Sequence, residues 1–295
     1  MASERETDPG SPRALARRAL AEDRAFYDRT TRRVLPGRVP AEAVVTAQAT
    51  GVLSGVALAR AVAREMGLSV VSARPDGSVV RPGTVVLRLR GDARRILAAE
   101  RTLLNFVMHA SGVATETRRA VAGAARARRP LEVWATRKTL PGLRDVEKAA
   151  VVHGGGRPHR HDLSAAVLIK NNHLALVPLR EAVRRARAGH AGERVQVEVR
   201  GVADAIAAAR AGADALLIDN APPRRTRSIV RALERAGLRD RLWLEVSGGI
   251  TPDRVGRYRS AGADAVSLGA ITHSAPALPF HLSVRPTPRL RRPAA

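Results

Sequence analysis

From Leu131 onward the chain alternates short apolar runs with Ala- and Arg-rich helical stretches, and no other feature restricts the fold as tightly. The apolar runs are Val133–Thr136, Val167–Lys170, Val195–Val199, Ala215–Asp219, Leu242–Val246 and Ala265–Leu268. Intervening segments such as Val202–Ala211 and Arg224–Ala236 carry helical periodicity. Strands that alternate with helices form βα units, so the pattern predicts a parallel sheet or barrel. Ala-Gly-Ala-Asp occurs twice, at Ala211–Asp214 and Ala261–Asp264, each time just before a strand. Its glycine suits the residue that ends a helix and starts a short loop.

The first third reads differently. β-like runs at Ala43–Ala49, Ser69–Ala73, Val79–Val80 and Thr84–Leu89 are split by turns such as Arg81-Pro-Gly, with Ala57–Met66 helical between them. This is the pattern of an α+β domain on an antiparallel sheet. A long helix is expected from Asp92 to Ser111-Gly112, followed by a second over Thr115–Arg128.

In the second region, polar residues collect where the strands end: Thr136-Arg137-Lys138, Lys170-Asn171-Asn172-His173, Glu198, Asp219-Asn220, Ser247-Gly248-Gly249 and Gly269-Ala270. A (β/α) barrel builds its active site from these ends. Arg137, Lys138, His159, Arg160 and Lys170 form a cation set suited to a polyanion. The late glycines would let backbone amides approach a phosphate. Glu198 and Asp219 would suit Mg²⁺ or ribose hydroxyls.

Charge sharpens this picture. The net charge of +24 invites a nucleic-acid reading, but only seven of 295 residues are aromatic, so base-stacking platforms are scarce. The charge is also scattered along the chain, as on a solvated Arg-rich surface. Of 51 basic residues only Lys138, Lys148 and Lys170 are lysine, all inside one 33-residue window. Lysine is a compact point charge and arginine a wide planar fork. A lysine kept against that background has a task arginine cannot perform.

The chain has no cysteine, which excludes disulfides and thiolate metal sites and suits a reducing compartment, so a cytoplasmic location is expected. Its first residues lack the apolar segment of a signal peptide, and residues 1–12 read as a disordered tail. No apolar run is long enough for a membrane span.

The runs Ala135-Thr-Arg-Lys-Thr-Leu-Pro-Gly-Leu-Arg144, Glu147-Lys148, Gly154-Gly-Gly-Arg-Pro-His-Arg160 and Val167-Leu-Ile-Lys-Asn-Asn-His173 resemble the quinolinate phosphoribosyltransferase family. The resemblance extends upstream to Glu100-Arg-Thr-Leu-Leu-Asn105 and Ser111-Gly-Val-Ala-Thr115. Downstream it takes in Glu198, Ile218-Asp-Asn220, Ser247-Gly-Gly-Ile250 and Gly269-Ala-Ile-Thr-His-Ser274. It implies an N-terminal α/β sandwich domain over 13–112, with the segment from about 275 to 295 packed back on it, and an open (β/α) barrel over 113–274. It also implies phosphoribosyl transfer from phosphoribosyl pyrophosphate to quinolinate with loss of CO₂, assisted by Mg²⁺, in a homodimer or larger assembly.

By position, Thr136, Arg137, His159, Arg160 and Lys170 would bind quinolinate, with Arg101 entering from the partner subunit. Lys138, Glu198 and Asp219 would serve catalysis, the two acids also as Mg²⁺ ligands. Ser247, Gly248, Gly249, Gly269, Ala270 and Ile271 would hold the phosphate. Three positions depart from the family pattern: Ala135 and Asn171 replace acids, and Gln196 replaces the first acid of Glu-x-Glu. The early Gly-Asp-x-Thr-Thr turn is here Tyr27-Asp-Arg-Thr-Thr31. Two other readings are a molybdenum-transport-associated paralogue, favoured by Ala135 and opposed by Lys170, and a non-catalytic anion or nucleic-acid binder. The latter would not need Lys138, Glu198 and Asp219 together.

Overall fold

The structure is a computed structural model describing residues 10–35, 37–125, 131–189 and 192–287. These fall into two compact units, one drawn from Met1–Thr115 and Pro276–Ala295, the other Glu116–Ala275.

In the first unit, helix α1 (Pro12–Glu22) opens where Ser11 Oγ accepts the Ala14 amide at 3.3 Å, with Pro12 in the first turn. Gly10–Pro12, expected within a tail, thus belong to a capped helix start; residues 1–9 lie outside the described residues. Asp28 caps α2 (Arg29–Val34), accepting from the Thr31 amide at 3.0 Å and from the Thr31 hydroxyl. That pairing accounts for the Asp28-x-Thr-Thr31 turn.

Strand β1 (Pro40–Ala47) buries every second residue, turning Ala41, Ala43, Val45 and Ala47 inward. After β2 (Gly51–Val52) come α3 (Val56–Glu65), β3 (Ser69–Ala73), β4 (Val79–Val80) and β5 (Val85–Asp92). The main sheet is antiparallel, with β1 between β5 and the returning strand Phe280–Pro286, and β3 beyond β5. Leu20, Leu53, Val62, Leu89, Ile96 and Leu103 fill its core.

Helix α4 (Ala93–Ala124) runs unbroken through the expected stop at Ser111-Gly112. The expected second helix is its continuation, and residues 126–130 lie outside the described residues. Gly112 does not end the helix: a Cβ built there would overlap the carbonyl of Pro276. Here glycine admits a second stretch of backbone. Ser111 Oγ accepts the Ser54 amide at 2.9 Å and donates to the Ser54 carbonyl at 3.1 Å, while Thr115 Oγ1 accepts the Val52 amide at 2.9 Å. The Ser-Gly-Val-Ala-Thr run is therefore a fastening between α4 and the chain around β2.

In the second unit, β6 (Glu132–Trp134), α5 (Arg144–His153), β7 (Val167–Ile169), α6 (Asn171–Leu174), α7 (Leu179–Gly189), β8 (Val195–Val199), α8 (Val202–Arg210), β9 (Ala215–Asp219), α9 (Pro223–Arg235), β10 (Trp243–Ser247), β11 (Ala265–Ser267) and α10 (Ala270–His273) follow in order. All six strands are parallel, in the order β6-β11-β10-β9-β8-β7. The first two strands are thus the two edges, and the barrel is open between them. A parallel bridge joins Trp134 to Arg157, with the Arg157 amide on the Val133 carbonyl and the Ala135 amide on the Arg157 carbonyl, each at 2.8 Å. This bridge covers the free edge of β6 and delivers Pro158–Arg160 to the strand ends.

The two Ala-Gly-Ala-Asp repeats do equivalent work. Gly212 and Gly262 sit at φ +99° and +85°. Asp214 then accepts the Val195 amide at 2.9 Å, and Asp264 the Leu244 amide at 2.7 Å. An arginine closes each pair, Arg187 at 2.9 Å and Arg239 at 2.7 Å.

Replacing Gly112 with alanine is expected to lower stability by about 1–3 kcal/mol, the usual cost of overpacking. A fall in the urea midpoint would register it; an unchanged midpoint would mean that the Pro276 backbone yields freely.

Candidate active site

At the carboxyl ends of the six strands lies a cavity of about 190 Å³ lined by Thr136, Arg137, Lys138, His159, Arg160, Leu168, Lys170, Glu198, Leu217, Asp219, Asn220, Glu245, Ser247, Gly248, Gly249 and Ser267. Most of the residues expected from sequence are among them. Arg101 is not; it is exposed on α4. Gly269, Ala270 and Ile271 are not lining residues either. Gly269 lies beside Lys138, whose Cδ is 3.0 Å from where a Gly269 Cβ would stand, and the Ile271 side chain is fully buried. Any contribution of these three must come from their backbone.

The cation side is built on β6 and the segment that covers its edge. Thr136 Oγ1 accepts the Lys138 amide at 3.0 Å, and the Lys138 carbonyl accepts the Thr272 hydroxyl at 2.8 Å. Those bonds fix the turn and leave the ammonium exposed. Lys148, from α5, is buried instead. Its Nζ donates to the Arg160 carbonyl at 3.0 Å and also to the Pro158 carbonyl, so it grips the chain on both sides of His159. Burial, then Arg144 and Arg137, lowers its pKa to about 8. A guanidinium fork could not occupy that point between two carbonyls. Burial and then the neighbouring Arg137 also push the Arg160 guanidinium below its ordinary value. These cations repel one another, and an anion among them would relieve that repulsion.

His159 was expected as one of the cations. In the structure Nδ1 accepts the Arg160 amide at 2.7 Å, and Nε2 faces Glu245 Oε2 at 3.2 Å. A nitrogen that accepts an N–H carries no proton, so the ring is the neutral Nε2–H form. Both nitrogens are engaged within the protein, and His159 offers the cavity no free charge. Lys170 is held by a similar device: its amide donates to His173 Nδ1 at 2.8 Å, which orients the strand end while its ammonium stays exposed.

The acid side is built on β8 and β9. Glu198 is 9% exposed and accepts from the Asn171 amide side chain. Burial raises its pKa, and the charge of Asp219 adds to the shift. Two carboxylates close enough to oppose each other's ionisation fit a hard divalent cation. Among the described residues no group of three or more His, Cys, Asp or Glu could hold a metal alone. The pair would therefore need substrate oxygens or water to complete a coordination sphere.

The floor is closed by glycine. Gly248 and Gly249 take φ +93° and +60°. A Cβ on Gly248 would come within 2.7 Å of the Asn220 amide nitrogen, whereas nothing lies within 4 Å of one on Gly249. The first glycine lets two strand ends meet; the second faces open space.

Glu245 and its partner Gln196 were not singled out from sequence as functional. Glu245 sits in the apolar run of β10, 1% exposed, and accepts from the Gln196 side chain at 2.9 Å. An acid two residues before Ser-Gly-Gly, in a strand otherwise apolar, was the available signal.

Two measurements follow. Lys148→Met leaves two carbonyls without their donor and is expected to cost about 1–3 kcal/mol; Lys148→Arg should not restore the loss in thermal melting. Asn171→Asp exchanges a donor for another carboxylate and should raise Glu198 further. Activity that needs ionised Glu198 then fails at a higher pH, so the acid limb of the kcat/KM profile should move up; an unmoved limb would separate Glu198 from that limb.

Comparison with known proteins covers both units. The model of the quinolinate phosphoribosyl transferase C-terminal domain matches residues 113–283, and that of its N-terminal domain residues 28–111. A protein of Methanothermobacter thermautotrophicus named "Probable nicotinate-nucleotide pyrophosphorylase [carboxylating]" is 41% identical over 92% of this chain and 98% of its own. The Rattus norvegicus "Nicotinate-nucleotide pyrophosphorylase [carboxylating]" is 35% identical over 96% of each. The solved structure of the nicotinate-nucleotide pyrophosphorylase from Francisella tularensis superposes with a TM-score of 0.84 at 32% identity, covering 93% of this chain and 96% of that one.

Proposed function

The chain belongs to the quinolinate phosphoribosyl transferase family, and from that premise we propose how its cavity carries out the family's reaction. The enzyme transfers the phosphoribosyl group of phosphoribosyl pyrophosphate to quinolinate and releases pyrophosphate and CO₂, leaving nicotinate mononucleotide for NAD biosynthesis. The observation that carries the assignment of roles is the division of one cavity into a cation side and an acid side.

Arg137, Arg160 and Lys170 take the two ring carboxylates, with Thr136 supplying a hydroxyl at the same strand end. Guanidinium forks suit carboxylates, and the ammonium adds a point charge. His159 supports Arg160 rather than binding as a cation. Glu198 and Asp219 face the ribose, where positive charge develops as the bond from C1 to pyrophosphate breaks. Lys138 meets the leaving pyrophosphate. Mg²⁺, held by Glu198, Asp219 and substrate oxygens, would neutralise charge on that leaving group. Ser247, Gly248 and Gly249, with the backbone of Gly269–Ile271, hold the 5′-phosphate through amides.

The ring nitrogen attacks C1 as pyrophosphate departs. Loss of CO₂ from the neighbouring ring carbon then leaves the bonding electron pair on that carbon, stabilised by the adjacent cationic nitrogen, and a proton taken up from solvent completes the C–H bond of nicotinate mononucleotide with no further cofactor. We assign Arg101 to the site of a second copy, in a cytoplasmic homodimer or larger assembly. Among the described residues no helix is long and apolar enough to cross a membrane.

Purified protein supplied with quinolinate, phosphoribosyl pyrophosphate and Mg²⁺ should form nicotinate mononucleotide and CO₂ in equal amounts. Turnover of nicotinate without CO₂ release, or no product, would overturn the assignment. Lys138→Arg should lower kcat/KM at least tenfold, because the fork cannot replace the point charge; unchanged activity would remove Lys138 from the site.

A further inference from the structure

The bonds around His159 extend beyond the residues assigned above. Its backbone sits at φ +57°, a conformation that non-glycine residues hold only where the surroundings over-determine it. Lys148 grips the carbonyls of Pro158 and Arg160 on either side. Trp134 and the ring meet in a T-shaped arrangement at a centroid distance of 5.4 Å. The ring itself is aligned by one acceptor, Glu245 Oε2, which also receives Gln196 Nε2. Glu245 is 1% exposed and comes from β10, on the opposite arm of the open sheet from β7 and flanked by β9 and β11. Gln196 comes from β8.

We propose that Glu245 is a positioning residue: with Gln196 it fixes His159 in the Nε2–H tautomer, so that Nδ1 accepts the Arg160 amide and the turn keeps Arg160 at the carboxylate pocket. The geometry supports an order of action. A protonated Nδ1 would set two donors, its own N–H and that of Arg160, against each other at 2.7 Å. A buried carboxylate facing Nε2 makes the Nε2–H form the one that satisfies both nitrogens. Gln196 donates to the same oxygen, so the carboxylate is held without drawing on the cations that face the cavity. An acid at position 196 would instead put two carboxylates together, which only a shared proton or a further cation could reconcile.

The inference rests on the assignment of Arg160 to a ring carboxylate, and two separate readouts keep it distinguishable from that assignment. The first needs no substrate. Nitrogen-15 spectra of histidine-labelled protein at pH 7.5, with His159 identified by its loss in His159→Gln, should show His159 as the Nε2–H tautomer. In Glu245→Met the resonance should move toward a mixture of tautomers, and in Glu245→Gln, which keeps an acceptor oxygen, it should stay near its original position. The second readout is kinetic. Glu245→Met should raise KM for quinolinate about tenfold, the size of a lost bond to a charged group, with KM for phosphoribosyl pyrophosphate within about twofold. Glu245→Gln should recover most of the loss.

A wild-type His159 in the Nδ1–H or doubly protonated form would overturn the proposal even if Glu245→Met failed to fold. So would a Glu245→Met spectrum unchanged at His159, or equal effects on the two KM values. Wild-type protein with the expected tautomer and no turnover of quinolinate would instead overturn the functional assignment and leave the tautomer device standing.

Discussion

A parallel sheet sends the carboxyl end of every strand to the same side, and here one missing pairing, between β6 and β7, decides how that side is used. In a closed barrel the two edges would bond to each other. In this chain the edge of β6 is bonded by Arg157 instead, through two 2.8 Å backbone bonds, and the segment carrying His159 and Arg160 enters there. The opening is therefore the entry point for the cations, and the continuous ladder from β8 to β11 supplies the acids and glycines. The division between a cation side and an acid side follows from strand order before any side chain is considered.

Burial then distinguishes charges that face the cavity from charges that hold it. Lys138 and Lys170 are exposed, whereas Lys148 is 4% exposed and spends its donors on two carbonyls. Glu198 is raised by burial and then by the charge of Asp219, while Glu245, more deeply buried, accepts from the Gln196 side chain and faces His159 Nε2. The two amides, Asn171 and Gln196, that stand where the resemblance led us to expect acids donate one to Glu198 and one to Glu245.

Much of this was legible in the sequence, and the failures are instructive. Period and run length placed all six parallel strands and three of the four strands of the antiparallel sheet to within a few residues, because apolar burial sets both, whereas the returning strand Phe280–Pro286 was expected only as a segment packed back. Of the lysine cluster that stood out against the arginine-rich background, Lys138 and Lys170 line the cavity, whereas Lys148 is buried and clamps two carbonyls. Gly112 misled: from sequence, a glycine that stops a helix looks the same as one that admits a passing chain, and Pro276 is far away in the sequence. His159 was read as a cation because its partner Glu245 lies in a different strand, within an apolar run whose periodicity says only that it is buried. Long-range pairings between single side chains leave no periodic trace.

Those pairings bear directly on the reaction. A dianionic ring must be drawn in by cations, yet the carbon it attacks develops positive charge and needs acids close by. Free mixing of the two sets in about 190 Å³ would let them neutralise each other before substrate arrived. The described ion pairs show little of this: among the cavity's charged side chains only His159 and Glu245 are in salt-bridge contact, at 3.2 Å, and His159 is there the neutral partner in a hydrogen bond. Lys148 donates to carbonyls, and the two amides donate one bond each to Glu198 and Glu245, without using up Arg137, Arg160, Lys138 or Lys170. The interior hydrogen bonds thus leave the cavity's opposite charges unpaired within one small space, as the reaction proposed above requires.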